Sequence, residues 1–184
     1  MSTPGVLDHL QQVQELNRVF LGLLQARVRD QRPCFGLPLA VHPLLRVAGP
    51  ERLDGIARFP GALFRLDLDR RSRAGLPDEA ERELCLSILL AMRHTSRLSG
   101  FQARLLLGLT PPEVETLSTL PLPNLQRLAC APGLLQCVLA ERAWFWPVLL
   151  TATRPEVRRQ LTLMALQPNA VPTWPRRKPP QPSA

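Results

Sequence analysis

Six basic side chains near the C-terminus are the strongest candidates for a chemical role. Three are close together on one predicted helix and three are consecutive: Arg154, Arg158 and Arg159, then Arg176, Arg177 and Lys178. Residues 154–184 contain these six cations and one carboxylate, so they contribute +5 to a formal net charge of +8. Guanidinium groups pair bidentately with phosphate, and clustered cations release counterions from nucleic acid. The pattern therefore predicts binding to an anionic partner.

The other reactive side chains form no recognisable catalytic or metal-binding pattern. Three histidines are scattered without a matching acid or nucleophile, at positions 9, 42 and 94. The cysteines, at positions 34, 85, 130 and 137, include no C-x-x-C pair and no histidine at zinc-ligand spacing. We therefore expect reduced buried thiols, no cofactor, no metal and no enzymatic activity.

The amino-acid composition gives a second explanation for the positive net charge. Arginine accounts for 22 of the 23 basic residues, which is typical of the codon bias of a GC-rich bacterial genome. Part of the arginine surplus is thus expected on solvated surfaces without a binding role. No apolar run reaches the roughly 18 residues needed for a membrane span, and the N-terminus does not resemble a signal peptide. We expect a cytoplasmic protein without membrane contact.

The spacing of apolar residues predicts a mainly α-helical fold. In the first half, apolar side chains recur every three or four positions over residues 6–29, which indicates an amphipathic helix. Shorter helical patterns cover residues 39–47 and 50–59. Alternation over residues 62–68 predicts a short strand or extended arm. Polar residues 69–77 then form a linker.

The second half follows the same order. Acidic residues in the first turn predict a long helix over residues 78–98, because carboxylates are favourable at helix N-termini. Thr110, Pro111 and Glu113 form a capping-box pattern that predicts another helix start. Further helices are predicted over residues 101–107, 111–120 and 123–130, and an extended segment over residues 134–139. A basic helix over residues 155–166 and a disordered, proline-rich tail over residues 168–184 complete the prediction.

Sliding the chain by 72 residues without a gap superimposes the two halves. Gly36 meets Gly108, Leu53 meets Leu125, and Pro60-Gly61 meets Pro132-Gly133. This match predicts an internal duplication, with units at residues 1–72 and 73–153, a basic helix at 154–167 and a tail at 168–184. Because each unit is too small to bury its apolar face alone, we expect a pseudo-symmetric pair in which each unit covers the other.

Residues 105–139, LLLGLTPPEVETLSTLPLPNLQRLACAPGLLQCVL, together with the long helix before them, resemble the FlhD family of flagellar transcriptional activators. That family shows a long helix, a glycine–hydrophobic pair, an acidic capped helix, a second helix after a proline turn and a short leucine-rich extended segment. Residues 34–68, CFGLPLAVHPLLRVAGPERLDGIARFPGALFRLDL, carry a weaker version. The two resemblances together span about residues 6–140.

The resemblance implies a mainly helical bacterial DNA-binding regulator that works with an FlhC-type subunit at promoters. Duplex DNA and an FlhC-like subunit are therefore the expected partners, and the dimerising core of the family leaves a homo-oligomer open. In the family, the part that follows the core approaches DNA. This assigns DNA contact to the six basic residues named above.

Three alternatives stay open from the residues themselves. The chain could be a non-enzymatic adaptor of a bacterial secretion, flagellar or conjugation system that binds proteins through its leucine-rich helices. The helix carrying Glu113 and Glu115 could read DNA in a helix-turn-helix, but phosphate would repel both carboxylates, so a scaffold role is favoured. Trp144, Phe145 and Trp146 could stack on single-stranded bases, but packing against the second unit is favoured.

Overall fold

Two long helices, one from each half, pack against each other at the centre of the fold. The computed structural model describes residues 5–68 and 76–152, together with Val157, Gln160 and Leu161. In chain order the elements are α1 (Val6–Arg29), α2 (His42–Arg46), α3 (Pro50–Ala57), β1 (Phe64–Leu66), α4 (Glu79–Leu98), α5 (Gly100–Leu107), α6 (Pro111–Thr119), α7 (Leu122–Ala129), β2 (Leu135–Cys137) and α8 (Phe145–Thr151). The predicted mainly α-helical class is confirmed.

Each long helix is packed by the short helices of its own half. Helix α1 contacts α2 and α3, whereas α4 contacts α6 and α7. Helix α5 lies between the two groups, against α1, α4 and α6, and α8 returns to pack on α2. Buried side chains from both halves therefore form a single hydrophobic core within the described residues.

The two strands join the halves through an antiparallel pair. Phe64 lies opposite Cys137, Arg65 opposite Gln136, and Leu66 opposite Leu135. The Val138 backbone N–H donates to the Leu63 carbonyl at 3.0 Å, and the Asp67 N–H donates to the Leu134 carbonyl at 2.8 Å, which extends the pairing beyond the strands. Each predicted extended segment thus finds its hydrogen-bond partner in the other half.

The 72-residue offset holds for one pair of helices, whereas the bounds of α1 and α4, and of α2 and α6, differ from it by one to three residues. Helix α3 (Pro50–Ala57) and helix α7 (Leu122–Ala129) match at every position with that offset. The strands are offset by 71 residues instead. Residues 28–35, which correspond to α5, hold the end of α1 and a loop, because Pro33 cannot continue a helix.

Several predicted bounds need correction. The helix predicted over residues 39–47 is divided into a 3₁₀ turn, Leu39–Val41, and α2. The predicted extended segments shorten to three-residue strands. Helix α8 is an addition that the sequence pattern did not predict. Of the helix predicted over residues 155–166, only Val157, Gln160 and Leu161 are described, and all three are helical. The unit boundary at residues 72/73 and the tail at 168–184 lie outside the described residues.

The aromatic cluster is part of the core. Phe145 and Trp146 are fully buried, and the Trp146 Nε1–H donates to the Val138 carbonyl at 2.9 Å. The rings of Phe59 and Phe145 meet edge to face with centroids 5.9 Å apart. Because they are buried, these two rings cannot stack on the bases of single-stranded nucleic acid. The aromatic cluster contacts the second unit, as predicted, through the bond to Val138, and α8 also packs on α2 of the first half.

Local capping fixes where the helices of the second half begin. Asp78 precedes α4 and accepts the Glu81 N–H at 2.8 Å, which satisfies a donor of the first turn. At the start of α6 the Glu113 carboxylate accepts the Thr110 N–H at 2.6 Å, as the capping-box pattern predicts. Gly108 ends α5 with φ of +68°, a conformation that glycine adopts without strain.

The Asn17 side chain forms hydrogen bonds that connect α1 to the segment leading into β1. Its side chain is fully buried, and its Nδ2 donates to the carbonyls of Ala57 and Gly61 at 3.3 and 2.9 Å. Its Oδ1 accepts the Leu63 N–H at 2.8 Å. One amide thus satisfies three backbone groups in the first half.

Replacement of Asn17 by alanine should lower the free energy of unfolding by about 2–4 kcal/mol, because buried backbone groups lose their partners. The exposed Gln11 on the same helix is the matched control, and Gln11→Ala should change stability by less than about 0.5 kcal/mol. Urea unfolding followed by circular dichroism measures both. Equal effects of the two substitutions would show that the Asn17 bonds do not contribute.

Candidate interaction surfaces

The six residues predicted to contact DNA lie outside the described part of the chain. They are Arg154, Arg158, Arg159, Arg176, Arg177 and Lys178. Their assignment therefore stays a prediction. The surfaces that follow are built from residues 5–68 and 76–152 only.

The described arginines divide into those with and those without a partner. Arg18 pairs with Glu15 and Asp54, Arg82 with Glu79, and Arg32 with Asp78. Within the described residues, seven others make no ion pair or side-chain hydrogen bond: Arg29, Arg52, Arg58, Arg65, Arg93, Arg97 and Arg104. The unpaired group is free to meet an anionic partner.

Among the described residues, Arg27 is the one buried arginine, and its charge is matched across the two halves. It lies near the end of α1, and its Nη2 donates to Asp78 at 2.7 Å and to Glu81 at 2.6 Å, both at the start of α4. Its Nη1 donates to the Pro33 carbonyl at 2.9 Å, and the guanidinium lies 4.4 Å from the Phe35 ring centroid. We call Arg27, Asp78 and Glu81 the Arg27 network.

The pKa values of the two acids of this network shift in opposite directions. Burial opposes ionisation of Asp78, but the Glu81 backbone N–H and the charges of Arg27 and Arg32 outweigh it, so the pKa of Asp78 lies below its ordinary value. Glu81 is more deeply buried, and burial together with the Asp78 charge raises its pKa despite Arg27. Arg27 is therefore the buried counter-charge that both carboxyl groups share.

The cysteines of the core are poor nucleophiles. Burial raises the pKa of Cys85 to about 12, with the Glu81 charge acting in the same direction. Burial also raises the pKa values of Cys34 and Cys137. All four cysteines are free, and Cys130 is exposed. Among the described residues no group of three or more histidine, cysteine or acidic side chains could hold a metal ion.

An apolar groove opens beside β1. It has a volume of about 400 Å³ and lies between β1, the end of α5 and the connection from β2 to α8. Its walls include Phe59, Pro60, Leu105, Leu139 and Phe145, and Arg65 is the only charged lining residue. An apolar depression with one cation suits an apolar protein segment better than a polar small molecule.

The exposed face of α5 continues this groove. Phe101 is 72% exposed and Leu105 is 45% exposed, and one helical turn separates them on the same face. Because Leu105 also lines the groove, the two features form one surface, which we call the α5 surface. Large exposed apolar side chains next to a groove are typical of a protein-binding site.

No helix among the described residues is long and apolar enough to cross a membrane. Comparison of the chain with protein-family models, with curated proteins and with solved structures finds no match. The resemblance to the FlhD family therefore stays a prediction made from the residues.

Three unpaired arginines that were not predicted as binding residues have a signal in the sequence. Residues 84–112 contain no carboxylate, yet they include Arg93, Arg97 and Arg104. A stretch of this kind offers no neighbouring acid along the helix at i ± 3 or i ± 4. All three side chains are indeed unpaired within the described residues.

Replacement of Arg27 by methionine should lower the free energy of unfolding by about 3–5 kcal/mol, because it leaves two close acids without their buried counter-charge. Arg82 is a matched control on the surface, where Arg82→Met should cost less than about 1 kcal/mol. Urea unfolding near pH 7 measures both. Similar losses for the two variants would contradict a central role for the Arg27 network.

Proposed function

We propose that the protein is a cytoplasmic, non-enzymatic DNA-binding transcriptional regulator that acts with an FlhC-like subunit at bacterial promoters. The observation that carries the proposal is the run over residues 105–139. In the fold this run forms the end of α5, the Gly108 turn, the capped helix α6, helix α7 and strand β2. Each feature that carries the resemblance thus corresponds to a defined element. The residue pattern and the helices and strand that it forms both support the regulator proposal.

The charge distribution supports an anionic partner. Carboxylates neutralise the arginines that hold the fold together, such as Arg18 and Arg27. The remaining positive charge lies on unpaired surface arginines and on the C-terminal basic residues. Cations without internal partners provide the sequence-independent part of DNA affinity.

The α5 surface supports a protein partner. A regulator that works as part of a heteromeric complex must present an apolar contact surface, and Phe101 and Leu105 provide one beside the groove. The same observation favours the alternative function, an adaptor of a secretion, flagellar or conjugation system. The two functions differ in whether the protein also binds DNA.

The DNA side is tested with purified full-length protein and a labelled duplex over a range of salt concentrations. Changing Arg154, Arg158 and Arg159 to glutamine should weaken binding by at least about tenfold near 0.1 M salt and reduce the salt slope by about 2–3. The control changes three exposed arginines that have internal partners, Arg46, Arg82 and Arg127, by the same charge. Absence of duplex binding at low salt would contradict the DNA-binding function and favour the adaptor.

The partner side is tested by affinity purification of tagged protein from the expressing bacterium after nuclease treatment. Phe101→Glu with Leu105→Glu should reduce the co-purified partner at least about tenfold, because two charges would be buried in an apolar contact. Val47 is 80% exposed at the end of α2, and Val47→Glu is the control. An unchanged set of co-purified proteins would rule out the α5 surface as the contact.

A further inference from the structure

A second, polar cleft lies between α1 and α4, in a part of the molecule that the proposed function has not yet used. It has a volume of about 400 Å³. Gln12 of α1 lines one side, and α4 supplies the rest of the lining: Ser87, Leu90, Ala91, Arg93, His94 and Arg97. The lining contains two arginines and a histidine but no carboxylate. We call it the α1–α4 cleft.

The two arginines of the cleft have no internal counter-charge. Arg93 and Arg97 are one turn apart on the same face of α4, and neither makes an ion pair or a side-chain hydrogen bond within the described residues. The acids of the facing part of α1 are engaged elsewhere: Asp8 accepts the Gly5 N–H at 2.9 Å, and Glu15 pairs with Arg18. The cleft is therefore positive.

Fold stability does not account for this arrangement. The Arg93 side chain is partly buried, and its Nε is buried without a hydrogen-bond acceptor, which is unfavourable for a charged group. Arg97 lies in the last turn of α4, where the helix dipole favours a cation, but Arg93 lies a full turn earlier. An external anion would supply the acceptor that the fold does not.

The corresponding positions of α1, 72 residues earlier, show that the two halves do not share this cleft. Seventy-two residues before Arg93 and Arg97 the chain has Leu21 and Gln25. Leu21 is fully buried, and Gln25 donates to the carbonyls of Leu45 and Ala48. These two positions make internal contacts in the first half. In the second half they are occupied by arginines that have no partner within the described residues.

We propose that the α1–α4 cleft binds a backbone phosphate of duplex DNA, with Arg93 and Arg97 as its ligands. This proposal rests on the DNA-binding function and adds a contact far along the chain from the C-terminal arginines. Guanidinium groups on one helix face match phosphate oxygens in charge and in hydrogen-bond geometry, and Gln12 offers a neutral donor. Such contacts orient the protein on the duplex and carry no base specificity.

The test is fluorescence anisotropy of a labelled duplex with the full-length protein at several salt concentrations. Arg93→Gln with Arg97→Gln should weaken binding about tenfold near 0.1 M salt and lower the slope of log K against log salt by about 0.9, for one lost phosphate contact. Arg82→Gln with Arg127→Gln removes the same charge from two exposed arginines that already have internal partners, and it is expected to change binding less than threefold. Arg93→Lys with Arg97→Lys should restore most of the affinity.

The outcomes separate this proposal from the function on which it rests. If the unmodified protein binds the duplex and the cleft variant binds like the Arg82/Arg127 control, the cleft is not a DNA contact although the protein still binds DNA. If the unmodified protein does not bind even at low salt, the DNA-binding function itself fails. Circular dichroism of each variant shows whether it is folded, and the lysine pair gives the second comparison if the glutamine pair unfolds.

Discussion

The apolar faces of α1 and α4 leave water by packing on each other and on the short helices around them. The Arg27 network lies where the end of α1 meets the start of α4, so a buried charge and its two acids stabilise that contact only in one arrangement. The antiparallel pair of β1 and β2 joins the halves a second time. Neither strand has another strand to pair with in the described residues, and each half therefore depends on the other for its core and for its backbone hydrogen bonds.

The local part of the fold was predictable, and the long-range part was not. Helix spacing and the caps at Asp78 and Thr110 depend on neighbouring residues, and the pattern located them closely. The strand pairing and the Arg27 network join residues 51 to 73 positions apart, which periodicity cannot report. Helix α8 was missed because Pro147 suggests a break, although proline is tolerated in a first turn. The α1–α4 cleft required knowledge of which arginines are already paired.

The α5 surface and the α1–α4 cleft differ in chemistry, which fits a regulator that binds both a protein and DNA. The α5 surface is apolar and contains a single cation in its groove, so it suits a protein. The α1–α4 cleft and the unpaired arginines are positive and lack acids, so they suit phosphate. Several carboxylates pair with structural arginines instead, among them Glu15 with Arg18 and Glu81 with Arg27. An adaptor would need the first surface alone.

The most direct measurement is recovery of the tagged protein from the expressing bacterium, with and without nuclease, followed by sequencing of retained DNA and mass spectrometry of bound proteins. The regulator proposal predicts enrichment of defined promoter fragments together with an FlhC-like subunit that remains bound after nuclease treatment. Secretion, flagellar or conjugation components that survive nuclease treatment, without any enriched DNA, would contradict it.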